Sequence, residues 1–267
     1  MALGGFGGKA YLASRLWEIA SKIPHIHRVE PYAGGLSFTL ASEPEGYSEV
    51  VGDIHVGLTN FWRVLQDDKA FDLFKRRIDA VPFSEWEWKK SNRSLLLDEI
   101  DVSHAVAFFI HCRQSLAGRM KDFATLSRNR TRRGMNEQAS AWLTCIEGLP
   151  AVHARLKRVV ILNRPALDVI RQQDGENTLF YIDAPYIHDT RASTGEYEHE
   201  MTDEEHQELI DLLLTIKGKA LVSMYHHAIY DVLHERHGWK LTEFDLPNNA
   251  SGAEVKKRKI ECVWQNG

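Results

Sequence analysis

Two residues with chemical capacity, Asp183 and Tyr186, close the stretch Thr178-Leu-Phe-Tyr-Ile-Asp183-Ala184-Pro185-Tyr186. The carboxylate is an acceptor of hydrogen bonds, the phenol offers a flat face, and Pro185 stiffens the chain between them. Gly4-Gly5-Phe6-Gly7-Gly8-Lys9 offers a second chemistry. Its glycine backbone ahead of a helix can present amides to an anion, and Lys9 adds a full charge. A third lies in Glu30-Pro31-Tyr32-Ala33-Gly34-Gly35, and a fourth in Asp53, 19 residues after Gly34. An acid at that distance from a glycine turn is suited to accept from ribose hydroxyls. Asp53 is equally suited to cap the helix after it.

These residues need elements to hold them. The apolar run before Asp183 reads as a central parallel strand, and in open α/β sheets chemistry collects where such strands end. Helical spacing over about 11–22 places Leu12, Leu16, Ile19 and Ile23 on one face. Short strands are expected around Val29 and over Glu49–Asp53, then helix over Ile54–Leu65 and on to about Val81. Phe83, Trp86 and Trp88 suit base stacking or a satellite core, the commoner use. A buried helix follows over Asp98–Cys112. Asn136–Lys157 reads as two helices broken at Gly148-Leu149-Pro150.

Arg158–Asn163 is a further strand and Arg164–Gln172 a short helix; Asn163 and Asp168 are weak candidates to approach a nucleobase. The polar segment Ile187–His199 reads as a loop closing over substrate. Thr202 with Glu205 is a capping box opening a helix, and Ala220–Met224 is a strand. Adjacent His226 and His227 at its end point to opposite sides, and no third ligand is evident, so no metal is expected. Lys240–Leu246 and Lys259–Trp264 read as an antiparallel pair at the sheet edge. Lys256, Lys257, Arg258 and Lys259 beside them suit either phosphate contact or protection of that edge.

The formal charge of −4 is unevenly spread. From Arg113 to Arg133 the chain carries Arg113, Arg119, Lys121, Arg128, Arg130, Arg132 and Arg133 against the single acid Asp122. This arginine-dominated, glycine-punctuated stretch without helical period suits a mobile loop gripping phosphates. Cys112, Cys145 and Cys262 are odd in number and widely spaced, which argues against disulfides and zinc and for a reducing, cytoplasmic setting. No membrane span or secretory signal is read, and 43% hydrophobic with 26% charged residues is globular composition.

In order, F-G-G-K, V-E-P-Y-A-G-G, G-D-I-H-x-x-L and D-A-P-Y resemble the four blocks of Dam-type (D12 class) adenine-specific DNA methyltransferases. Two departures are Gly5, where the family often has an aromatic four residues before the lysine, and Ala184, where it has proline.

The resemblance implies an α/β, Rossmann-like sheet that uses S-adenosyl-L-methionine, formed by 1–66 and 158–267. A mostly helical DNA-recognition insertion occupies 67–157. It implies that Phe6, Gly8, Lys9, Glu30, Pro31, Tyr32, Gly34, Asp53 and Asp183 bind the cofactor. Asp183, Ala184, Pro185 and Tyr186 would methylate the N6 amine of an adenine flipped out of double-stranded DNA. Arg113, Arg119, Arg128, Arg130, Arg132 and Arg133 would hold that DNA. The same chemistry on cytosine or RNA, or a non-catalytic DNA-binding relative, are the competing readings.

Overall fold

The structure is a computed structural model that describes residues 11–91, 100–118, 120–187, 200–247 and 258–267. Its strands are β1 His27–Glu30, β2 Ser48–Gly52, β3 Thr131–Arg132, β4 Met135–Asn136, β5 Val159–Leu162, β6 Thr178–Ile182, β7 Lys219–Tyr225, β8 Lys240–Pro247 and β9 Arg258–Gln265. Its helices are α1 Ala13–Ala20, α2 Ser37–Ala41, α3 Val56–Gln66, α4 Asp68–Asp79, α5 Glu85–Lys90, α6 Val102–Arg113, α7 Glu137–Glu147, α8 Leu149–Leu156, α9 Ala166–Gln173, α10 Asp203–Leu213 and α11 Ala228–Glu235. The chain is mixed α/β, with a seven-stranded, mostly parallel sheet. It falls into two compact units, one of Met1–Trp17, Ala33–Glu45 and Asp53–Asn163, the other of Glu18–Tyr32, Gly46–Gly52 and Arg164–Gly267.

The second unit holds six of the strands in the order β2-β1-β6-β7-β9-β8. β1, β2, β6 and β7 run parallel, and β9 lies antiparallel between β7 and β8. Every residue of β6 is buried, as its unbroken apolar sequence requires of a strand covered on both faces. Gly218 enters β7 where a Cβ would stand 2.7 Å from the Thr178 carbonyl oxygen, so only glycine allows that approach to β6.

Thr202 and Glu205 form the full capping box of α10. His206 of α10 is hydrogen-bonded to the Tyr230 hydroxyl of α11 at 2.7 Å, and the Tyr230 ring lies 6.0 Å from that of Trp264 on β9. His226 and His227 part as adjacent residues should. His227 caps α11, while His226 sits between Asp231 at 2.8 Å and Glu243 at 2.7 Å.

In the other unit, α3, α4, α6 and α7 share an aromatic core. Phe109 stacks on Phe61 at 5.6 Å and meets Phe74 at 5.8 Å and Trp142 at 5.3 Å. The helical run expected from Phe61 to Val81 is split at Asp67, whose side chain accepts from the Ala70 amide and opens α4. Trp88 stacks on His111 at 4.8 Å and Phe83 packs on Phe123 at 5.1 Å, so both serve a small core, while Trp86 is 65% exposed.

The β1–β2 register pairs Arg28 with Glu49, whose side chains meet at 2.8 Å with 4% and 3% exposure. Glu49→Ala is expected to cost about 3–5 kcal/mol in urea unfolding, because it strips a carboxylate from a buried guanidinium. An apolar Arg28→Met/Glu49→Leu pair should recover most of that loss; a single replacement costing under about 1 kcal/mol contradicts it.

His226 gives a pH-dependent counterpart. Hydrogen bonds donated by its ring to Glu243 and then to Asp231 raise its pKa above the ordinary 6.5. Its contribution is therefore full below the unfolded value and is lost as pH rises through the folded one. The stability difference between the parent and His226→Gln should shrink as urea titrations move from pH 6 towards alkaline pH; a difference that grows would refute the ion pairing.

Candidate functional site

β6 is flanked by β1 and β7, both parallel to it, so it is paired on both edges, and an acid, Asp183, follows where it stops. Asp183 is the first residue beyond it and is half-buried; Ala184 is 1% exposed, Pro185 half-buried, and Tyr186 buried. The register Val29↔Phe180 brings the end of β1 level with the end of β6. Glu30, 3% exposed, ends β1, and Pro31 and Tyr32 follow it. The Tyr181 phenol is pushed well above its ordinary pKa, by burial first and then by Asp183, Glu30 and Glu261. Three carboxylates thus gather around one phenol. Tyr32 is raised likewise, by burial and then by Glu205 and Glu208.

Tyr186 is held more tightly than its place in a loop suggests. Its hydroxyl donates to Glu261 of β9, and the Ser223 hydroxyl of β7 donates to the same oxygen, Oε1, at 3.0 Å. The Tyr225 ring packs against it with centroids 4.6 Å apart. Sequence reasoning missed Glu261 and Ser223. The available signal was a carboxylate set between Ile260 and Cys262 in a strand otherwise rich in apolar residues.

The glycine turn and Asp53 meet in the other unit. Gly34, at φ 45°, donates its amide to Asp53 Oδ2 at 3.0 Å, and its carbonyl accepts from Trp62 Nε1 at 3.1 Å. Asp53 Oδ1 accepts from the His55 amide at 2.9 Å. The helix-capping alternative for Asp53 is corrected by these bonds. His55 caps α3, its Nδ1 accepting from Leu58 N at 3.0 Å, and Asp53 closes the turn instead. Asn163 donates to the Asp53 carbonyl at 2.8 Å and to that of Ile54 at 3.1 Å, which fixes the same loop from the end of β5. Asp168 pairs with Arg171 at 3.3 Å on exposed surface. Phe6, Gly8 and Lys9 lie outside the described residues, as do 188–199 of the expected closing loop.

The arginine stretch is not wholly the loop expected of it. β3 and β4 form a hairpin whose turn is Arg133-Gly134, at φ 57° and 74°, the left-handed pair that a two-residue turn demands. Arg133 forks onto both oxygens of Glu147 at 2.9 Å, also donates to Thr144, and is thereby occupied. Arg130 lies 3.8 Å from Glu137. Arg128 and Arg132 are exposed, Arg113 is half-buried, and Arg119 falls outside the described residues.

His226, Glu243 and Cys262 present donor atoms within 4.8 Å of one another, a grouping that sequence spacing did not reveal. Both ring nitrogens of His226 have carboxylate partners, and burial pushes the Cys262 thiol up to about 12. The cluster therefore reads as an ion-paired histidine at the sheet edge.

Among the described residues, no helix is long and apolar enough to cross a membrane. No curated protein matches the chain. The family model of D12 class N6 adenine-specific DNA methyltransferases matches residues 6–243, from the glycine-rich start through both units and into β8. With most of its length so matched, the chain belongs to that family, whose reaction is methylation of adenine N6 in DNA with S-adenosylmethionine as methyl donor.

Proposed function

We propose that methylation takes place at the carboxyl end of β6, on an adenine extruded from double-stranded DNA. The observation that carries this is Asp183, a half-buried carboxylate at the first position where the fully buried central strand can offer one. The exocyclic amine of adenine is a poor nucleophile because its lone pair is delocalised into the ring. Acceptors on its two hydrogens draw the nitrogen towards a tetrahedral, reactive geometry. Asp183 supplies one acceptor and the Ala184 carbonyl the other. Alanine has the same carbonyl as the family's proline, so the departure costs rigidity and not the acceptor. The Tyr186 ring receives the extruded base and replaces stacking lost from the duplex.

The donor set fits S-adenosylmethionine. A carboxylate has about four acceptor positions, and two of those on Asp53 are taken by backbone amides, which leaves room for ribose hydroxyls. Glu30 and Asp183 carry negative charge suited to a cationic ligand, and they, Pro31, Tyr32 and Gly34 are assigned to the cofactor on the motif. Phe6, Gly8 and Lys9 are assigned to the same ligand on the motif alone. When bound, the cofactor would supply a methyl group already activated on sulfur and leave as S-adenosylhomocysteine. This chain has to orient the amine, exclude water and let the methylated nitrogen shed its proton.

Residues 67–157 are assigned to target recognition and 1–66 with 158–267 to catalysis. Exposed Arg128 and Arg132 beside the hairpin suit phosphate contact, with Arg113, Arg119 and Arg130 as further contributors. Arg133, assigned with them, also bonds Glu147 and so holds the hairpin on α7.

Asp183→Ala is expected to abolish methyl transfer while DNA binding survives; near-parent methylation would remove this strand end from the active site. Asp53→Ala should weaken S-adenosylmethionine binding by about 1–3 kcal/mol in calorimetry, and an unchanged affinity would dismiss it. Arg128→Ala/Arg132→Ala should flatten the slope of log DNA affinity against log salt by about two units, roughly 0.9 for each lost contact. Arg133→Ala should instead lower stability, and a parent salt slope in the double variant would mean that DNA is gripped elsewhere.

A further inference from the structure

We propose that Glu261, together with Ser223, is a positioning residue that fixes the Tyr186 ring for the extruded base. The inference rests on the reading above, in which Tyr186 receives that base. Glu261 lies in β9, register-paired with Tyr225 of β7 and Phe244 of β8, and is 1% exposed. A carboxyl group there is costly. Removing it from water loses several kcal/mol before its partners repay any, and an apolar residue of similar volume would serve the sheet as well or better. Stability alone therefore does not account for it.

Its partners do. A tyrosine ring has two side-chain torsions, and the bond from its hydroxyl to Glu261 pins the far end of the ring. Tyr225, 4.6 Å away, limits its tilt. Ser223 donates to the same Oε1 at 3.0 Å and keeps that oxygen in place. Burial, followed by the charge of Glu261, holds the Tyr186 phenol well above its ordinary pKa, so it remains a donor throughout the working range. A ring fixed before the base arrives spares the entropy of ordering it during the reaction. β9 thus reaches from near the chain's end to set a residue of the D-A-P-Y motif, 75 positions earlier.

The test uses the full chain with S-adenosylmethionine and duplex DNA containing the site that the parent protein methylates. Single-turnover transfer is timed, and 2-aminopurine replaces the target adenine to report base extrusion by fluorescence. Tyr186→Phe keeps the ring and cuts the tether. It is expected to slow transfer about tenfold or more, the worth of a strong hydrogen bond, and to lower the 2-aminopurine signal with cofactor affinity unchanged.

Glu261→Gln retains an acceptor for both hydroxyls and should stay within about threefold of the parent. Tyr186→Phe/Glu261→Gln should be no slower than Tyr186→Phe alone, because both act through one bond. Tyr186→Phe reacting at the parent rate with the parent fluorescence overturns the proposal, as do independent, multiplying losses in the double variant. A parent protein that leaves adenine unmodified would instead overturn the underlying reading, so the two failures are distinguishable.

Discussion

The burial of β6 on both faces and its pairing on both edges constrain where charged groups can stand along this strand. A strand buried on both faces and paired on both edges cannot carry a charged side chain along its length without stranding it from water. The first charged residue after the strand is Asp183, where we place the proposed acceptor. The parallel neighbours β1 and β7 end nearby in Glu30 and Tyr225, and the one charge inside β1, Arg28, is met by Glu49 of β2. The sheet thereby converts an apolar sequence into a cluster of functional groups at one end.

The electrostatic character of that end follows. Asp183, Glu30 and Glu261 all act on the buried Tyr181 phenol, which would suit the hydrogen-rich and cationic groups proposed to bind there. An exocyclic amine and a sulfonium are such groups. The same concentration is expensive to fold, and its cost is met partly by hydroxyl donors such as Ser223 and Tyr186, which satisfy Glu261 without adding charge. Asp53, in the other unit, is satisfied by backbone amides and in return locks the glycine turn.

The central strand, the capping box at Thr202 and the helix break at Pro150 were legible because each is encoded within a few neighbouring residues. So was the antiparallel edge pair. What was not legible depends on partners far away in sequence. Arg133 looked like one cation among several, and its bonds from two terminal nitrogens to Glu147, 14 residues on, had no local signal. The hairpin around it has strands of two residues, too short for alternation to show, although Arg133-Gly134 was a usable turn signal. Asp53 was a sound candidate for a helix cap by local rules, yet His55 caps α3 while the Asp53 carboxylate accepts from the Gly34 and His55 amides. The bond between Tyr186 and Glu261 spans 75 residues and no local pattern announces it.

The most direct test of the central claim is nucleoside mass spectrometry of duplex DNA incubated with the purified protein and S-adenosylmethionine, with Asp183→Ala in parallel. The account predicts N6-methyladenine with the parent and none with the variant. Methylated cytosine, no modified base from the parent, or equal N6-methyladenine from both proteins would contradict it.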